Sequence, residues 1–255
     1  MFRGLYTAYT GMLTQQQKMD GISNNLANVD TTGYKKDRMI QQSFDEILTY
    51  KLNDPEVPQG ESIGKMSLGV KVSQVFTDFS QGSMKQTDNL LDVALQGEGF
   101  FKVGEVNDQG SMDIKYTRDG SFNISQNGQL VTKDGLFLLG EDDASVQLGF
   151  EDFRVNNDGS IYQNEELMNK IQVVNFEDDQ TLRKQGSSLF TTTDTSVIKE
   201  YEGTIVQGFL ETSNVNTINE MIEMIATTRT YEANQKMIQT YDATMEKVVN
   251  SVGSL

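Results

Sequence analysis

One spacing recurs at both extremes of this chain, and it restricts the possible folds more than any other feature. Near the N-terminus Leu5, Met12, Met19 and Leu26 stand seven residues apart, and Ala8, Gln15, Ile22 and Val29 repeat that interval three positions further on. Near the C-terminus Met224, Tyr231, Ile238, Met245 and Val252 do the same, with Met221, Thr228, Tyr241, Val248 and Val249 thickening the stripe. Two apolar lines at this offset predict helices that each lie along a partner helix. The first seam, Leu5 to Val29, would span roughly 37 Å at 1.5 Å per residue. Neither Gly nor Pro interrupts Phe209 to Val252, Gly253 offers a stop, and Thr217 with Glu220 has the spacing of a capping box.

An ordinary core-facing helix would carry such a stripe too. Two stripes at opposite ends favour pairing of the ends with each other. The N-terminal seam is marginal as an isolated helix: Gly4, Gly11 and Gly21 each cost about 1 kcal/mol relative to Ala, and Thr7, Thr10 and Thr14 form helix weakly. The expectation is a segment that stays loose alone and orders when a partner covers it.

Absences exclude much chemistry. The 255 residues contain no His, Cys or Trp. The usual zinc and thiolate sites therefore lack ligands, and Ser-His or Cys-His catalysis lacks its parts. Carboxylates, Lys and Tyr remain for acid-base work. The formal charge of −16 is uneven. Residues 1–40 hold five basic and three acidic groups, 215–255 hold three and five, and 41–214 hold thirteen and 29. The two ends together are neutral and can pack against copies of themselves. The middle would repel nucleic acid and anionic membrane surfaces, and a solvated acidic body explains it better than a cation site. No stretch approaches the roughly 20 apolar residues of a membrane span, and the N-terminus does not read as a cleaved secretory signal.

After the first seam, Ser23 to Lys36 is rich in Asn and Thr, which compete with helical hydrogen bonds and favour caps and turns. Gly33 tolerates positive φ. A helix end and a turn is the plain reading, although Asn25 and Asn28 could also bond a neighbouring chain. This segment resembles the N-terminal signature of bacterial flagellar rod and hook proteins, through Arg3-Gly4-Leu5-Tyr6-Thr7-Ala8, Asn24-Asn25-Leu26-Ala27-Asn28 and Thr32-Gly33-Tyr34. Leu91 to Phe101 and Tyr116-Thr117-Arg118-Asp119-Gly120-Ser121-Phe122 are similar to its central signature. Ser213-Asn214-Val215-Asn216, Glu220-Met221-Ile222 and Arg229-Thr230-Tyr231-Glu232-Ala233-Asn234 are similar to its C-terminal one. The motifs fall in family order along nearly the whole chain.

Between Phe44 and Gly69, Phe44, Ile47 and Leu48 are expected to end a short helix. Pro55, Pro58, Gly60 and Gly64 then suggest an extended linker. Within the family resembled, a segment of this kind favours the distal rod subunit over the proximal ones. From Val70 the pattern turns strand-like. Asp119-Gly120, Asn127-Gly128, Asp134-Gly135 and Asp158-Gly159 punctuate it as hairpin turns do. Phe122 and Ile124 face Leu130 and Val131 across one of them, Leu136 to Leu139 follow as a third strand, and Ile171 to Phe176 make another. The expected fold is α+β: terminal helices pairing as a coiled-coil-like module (1–34 with 213–255), a linker (35–69), and an inserted antiparallel, mainly β domain (70–212).

Other sites are weaker. Asn156 to Ser160 lacks the further oxygens and flanking helices of a calcium loop. The runs Glu141 to Asp143 and Glu177 to Asp179 could supply paired carboxylates for hydrolysis, but they sit at turns. Gly97-x-Gly99 lacks a following helix and the third Gly of a nucleotide fingerprint. No metal, cofactor or catalytic residue is expected. The resemblance implies a structural subunit that polymerises through its terminal helices into a tube transmitting motor torque to the hook. Its implied partners are copies of itself, neighbouring rod and hook proteins, and the export apparatus that passes it out unfolded and uncleaved. Leu5, Ala8, Met12, Met19, Ile22, Leu26, Met224, Tyr231, Ile238, Met245 and Val252 are the expected assembly contacts, and Asn24 to Asn28 with Gly33 and Tyr34 the family motif. A carboxylate hydrolase with a helical dimerisation clamp, or a monomeric adhesin-like β module on a helical stalk, are the alternatives.

Overall fold

The computed structural model describes residues 2–51, 61–106, 112–149, 153–186, 188–193 and 196–253. They form two compact units: residues 1–26, 37–76 and 217–255 make one, residues 27–36 and 77–216 the other. Two helices, at the N- and C-terminal ends, flank a mainly antiparallel β region, the α+β arrangement expected.

The first unit is helical with β ribbons. Helix α1 runs Phe2–Ala27, and Val29 falls in the turn beyond it, off the predicted seam. Strand β1 (Lys36–Ser43) pairs with β4 (Val70–Asp78), and β2 (Ile47–Lys51) with β3 (Glu61–Met66) in an antiparallel hairpin. The helix expected near Phe44 to Leu48 is thus replaced by extended chain. Tyr50 and the β-branched Ile47 and Thr49 favour strand over helix, and cross-strand partners were invisible to local periodicity. The expected linker 35–69 holds β1, β2 and β3, while Pro55, Pro58 and Gly60 lie outside the described residues. Helix α2 (Thr217–Val252) is about 54 Å long at 1.5 Å per residue.

The second unit continues with β5 (Met84–Gln86), β6 (Val93–Gln96), β7 (Phe100–Val106), β8 (Met112–Thr117), β9 (Phe122–Ile124), β10 (Leu130–Thr132), β11 (Phe137–Leu138) and β12 (Phe153–Val155). It then adds β13 (Ser160–Gln163), β14 (Glu166–Lys170), β15 (Val173–Phe176), β16 (Arg183–Gln185), β17 (Leu189–Thr191), β18 (Ile198–Lys199), β19 (Thr204–Gln207) and β20 (Phe209–Glu211). Its main sheet has the order β16-β17-β8-β7-β11-β10-β9, with β15 also pairing β7. The turns expected at Asn127-Gly128, Asp134-Gly135 and Asp158-Gly159 join β9 to β10, β10 to β11 and β12 to β13; Gly128 sits at φ +76°, a conformation open to it because it lacks a Cβ. Asp119-Gly120 makes no hairpin. A Cβ on Gly120 would collide with the Val93 carbonyl, which accepts the close approach instead of a tight turn.

Two apolar clusters fill this unit. One gathers Leu95, Phe101, Val103, Phe122, Leu138, Ile161 and Ile205 among others. The other stacks aromatic rings: Phe100, Phe176, Phe190 and Tyr116, with Phe79 packed on them at ring separations of 5.0 to 5.9 Å. Edge-to-face rings at this distance add to area burial.

Candidate assembly site

In the first unit α1 and α2 lie antiparallel. Tyr241 covers Gly4, Asn234 lies beside Gly11, the Thr228 hydroxyl donates to Met19 Sδ at 3.5 Å, and Asn25 Nδ2 donates to Glu220 Oε2 at 3.4 Å. Lys18 Nζ meets Glu223 at 2.8 Å. As the α1 number rises from 4 to 25, the α2 number falls from 241 to 220. The α1 glycines that weaken it as a lone helix make room for partner side chains: a Cβ on Gly4 would collide with Tyr241, and one on Gly21 would press on Met39.

The predicted contact residues fall as follows. Ala8 and Ile22 are buried; Leu5, Met12, Met19 and Leu26 are half-buried. Met224, Tyr231, Ile238 and Met245 form a half-buried line along α2, and Val252 is the last helical residue. The second line of α2 differs from expectation except at Thr228 and Tyr241, which face α1 as expected. Glu220, Thr227, Asn234 and Tyr241 are turned inward, whereas Met221, Val248 and Val249 are exposed. Thr217 is the first helical residue, and the Glu220 carboxylate accepts from Asn25. Asn25 also brackets Asp37, donating to its carbonyl at 2.9 Å and accepting its N–H at 3.0 Å. Asn28 accepts from the Thr31 hydroxyl at 3.2 Å, and Asn24 and Ala27 are exposed. The α1 threonines serve the ribbon: Thr7 donates to the Leu68 carbonyl at 3.0 Å and Thr14 to that of Val70 at 3.4 Å.

What this unit leaves in water is distinctive. Tyr6, Tyr9 and Leu13 on α1, Ile218, Met221, Ile222, Ile225, Met237, Val248 and Val249 on α2, and Ile47, Leu48, Tyr50 and Met66 on the β2–β3 hairpin are all exposed, Ile218 to 69% and Val249 to 67%. Apolar exposure concentrated like this marks an interaction surface.

The second unit holds a buried charge cluster that the sequence did not announce. Lys35, 0% exposed, donates from Nζ to Glu211 Oε1 at 2.6 Å and to the Ser80 carbonyl at 2.9 Å. Arg118 reaches Glu211 Oε2 at 3.3 Å and lies over the Phe100 ring at 5.1 Å. The Gly82 N–H donates to the same carboxylate at 2.8 Å. Burial pushes the Lys35 ammonium below its ordinary value, against the pull of Glu211. Around it, Gly33 N–H donates to the Glu211 carbonyl at 2.9 Å, Lys36 N–H to Asn214 Oδ1 at 2.8 Å, and Thr32 Oγ1 to Asp119 at 2.6 Å. Gly33 sits at φ +66°, and a Cβ there would collide with the Asp119 backbone. Tyr34 is buried beneath Lys184, whose Nζ is 3.8 Å from the ring centre.

The tempting acidic sites resolve into turn chemistry. Asp158 accepts from the Ser160 N–H at 3.1 Å and hydroxyl at 2.9 Å, bonds that hold its carboxyl below the usual range. Asp143 pairs with Lys102, and Asp178 accepts from the Gln180 N–H at 2.9 Å.

Comparison with known proteins accords with this layout. Residues 5–35 match the flagella basal body rod protein family, 94–163 the D1 domain of the flagellar hook protein FlgE/F/G, and 206–251 the C-terminal region of flagellar basal body rod FlgEFG proteins. Lys35, Arg118 and Glu211 fall one in each matched segment. The chain is 32% identical to the flagellar hook-basal body complex protein FlhO of Bacillus subtilis (strain 168), over 100% of both chains. It is 35% identical to the flagellar basal-body rod protein FlgG of Buchnera aphidicola subsp. Schizaphis graminum, over 97% of this chain and 99% of that one. It is also 35% identical to FlgG of Borreliella burgdorferi, over 95% and 96%.

Proposed function

The chain belongs to the flagellar basal-body rod protein family, and from that premise we propose that α1 and α2 are the surfaces through which copies of it join. It is a structural subunit of the rod, not an enzyme, and its place is the flagellar basal body. Its partners are further copies and neighbouring rod and hook proteins. In the finer reading the helical pairs stack into a tube that carries torque, and subunits reach it unfolded through the export apparatus.

The observation that carries this reading is the apolar surface of the helical unit. Ile222, Ile225 and Tyr6 have no reason to face water in a finished structure, and covering each would contribute roughly 1.5–3 kcal/mol. Contacts between a surface and a different surface on the next copy repeat by a screw operation and build a filament. The export step is supported by the weak intrinsic helicity of α1, whose ordering would be offset by those contacts.

Concentrated purified protein examined by electron microscopy and sedimentation should show open-ended polymers. In the monomer, amide hydrogens across Leu5 to Val29 should exchange fast, and in the polymer slowly. Equal protection in both states would refute the ordering step; a protein that stays monomeric at all concentrations would refute the assembly role of the helices. Deleting the gene and imaging the basal bodies that remain locates the subunit, because growth stops where it is missing.

A further inference from the structure

Beside the half-buried apolar line that includes Met12, Met19, Met224, Tyr231 and Ile238, the seam of the helical pair carries a second line of small and polar residues. Along α1, Gly4, Gly11, Lys18 and Asn25 recur every seven residues, and they meet Tyr241, Asn234, Glu223 and Glu220. A seam that relied on apolar burial alone would not place Gly twice and Lys once on that line.

Such a seam has an alignment problem. The glycine recesses repeat at the heptad interval. If α2 slid by one heptad, Tyr241 would cover Gly11 in place of Gly4, and the recess would accept it equally well. Lys18 and Glu223 are partly exposed, with long side chains that can follow a shifted partner. Of these four layers, the one at Asn25 and Glu220 is both buried and directional. Asn25 is 1% exposed and Glu220 0%. Asn25 is held from two further sides by Asp37, so it cannot follow a slide of α2. A slide that sets Asn25 against Thr227 breaks its bond to Glu220 and moves a buried carboxylate out of the environment that now holds it, a costly exchange.

We propose that Asn25 and Glu220 are the positioning pair that fixes which alignment α1 and α2 adopt, and hence where each exposed apolar side chain is presented to the next copy. A single buried polar pair setting helix register at some expense of stability is a recognised device. The consequence for copies rests on the assembly reading above; the alignment itself does not.

The absence of Cys from the sequence gives a clean test. Met19→Cys with Thr228→Cys reports the observed alignment, since those side chains touch. Met19→Cys with Gln235→Cys reports the alignment one heptad away. Both pairs are placed in the full chain, with and without Asn25→Leu and Glu220→Leu, and mild oxidation is followed by peptide mapping. In the parent only the 19–228 disulfide should form. In the leucine background the relative yield of 19–235 should rise about tenfold, the ratio that loss of a preference near 1.4 kcal/mol gives. Glu220→Gln, which keeps an acceptor for Asn25, should hold the parent pattern.

Circular dichroism is read on the same samples. If helical content is kept and cross-linking stays confined to 19–228 in the leucine background, the proposal is overturned. If helical content collapses, the pair builds the helices rather than choosing between alignments, which overturns it as well. Sedimentation of the parent separates the two ideas, since failure to polymerise sinks the assembly reading while the cross-link pattern still judges the alignment.

Discussion

The β unit and the helical unit solve opposite problems with the same kind of chain. The β unit closes on itself. Its two apolar clusters are made of its own residues, and Phe101, Val103, Leu138 and Phe190 are fully shielded from water. The helical unit buries little beyond Ala8 and Ile22 among its large or small apolar residues, and turns Ile218, Ile222, Ile225 and Val249 outward. The lesson is that apolar burial and apolar exposure are concentrated in different regions of one chain.

The sharpest way to break that contrast is to put charge on the seam. Ile238→Asp, or Met19→Asp, should abolish polymerisation in sedimentation while the unfolding midpoint of the β unit stays where it was. A falling midpoint would mean the two units share their stability. Next in size is the buried cluster. Glu211→Leu leaves Lys35 and Arg118 buried without their carboxylate, and should cost about 3–5 kcal/mol in urea unfolding. Lys35→Met, Arg118→Met and Glu211→Leu together should recover most of it, because no uncompensated charge remains. If the triple variant is worse than the single one, the hydrogen bonds to Ser80 and Gly82 matter more than the charges.

Smaller still is Gly33→Ala. At φ +66° and against the Asp119 backbone it should lose more than about 1 kcal/mol, with the helical unit's exchange pattern unmoved. The smallest effect is at alkaline pH. Tyr201 donates to the carbonyls of Gln96 and Thr204, and burial pushes its phenol up to about 12. An unfolded Tyr loses its proton near its ordinary value of about 10. Stability from this group is therefore complete below pH 10 and declines from there to about 12. The melting temperature of Tyr201→Phe should fall less steeply over that window than that of the parent.

How much of this was legible beforehand depended on how local the cause is. The hairpins at Asn127-Gly128 and Asp158-Gly159 were readable because a positive-φ residue between alternating apolar residues is a short-range signal. The α1 and α2 stripes were readable because helical periodicity needs no knowledge of the partner. The strands at Ile47–Lys51 and Glu61–Met66 were not, since each is stabilised by the other across a gap that periodicity does not see. The Lys35, Arg118 and Glu211 cluster was missed for the same reason at longer range: 93 residues separate Arg118 from Glu211 and 176 separate Lys35 from it. The one available sign was that each lies at or beside a family motif. Asn25, flagged as able to bond a neighbouring chain, instead bonds Asp37 and Glu220 of its own.

The Asn25–Glu220 contact joins residues 195 positions apart. A ribosome delivers its first half early and its second half nearly last. Until the final stretch has been synthesised, α1 has the ribbon beside it but no helix to pair with, and closing so long a loop costs only slightly more than closing one half its length. A subunit cut short before Thr217 would thus fold its β unit and still lack a finished end. The helical unit is complete only when the last residues of the chain are in place.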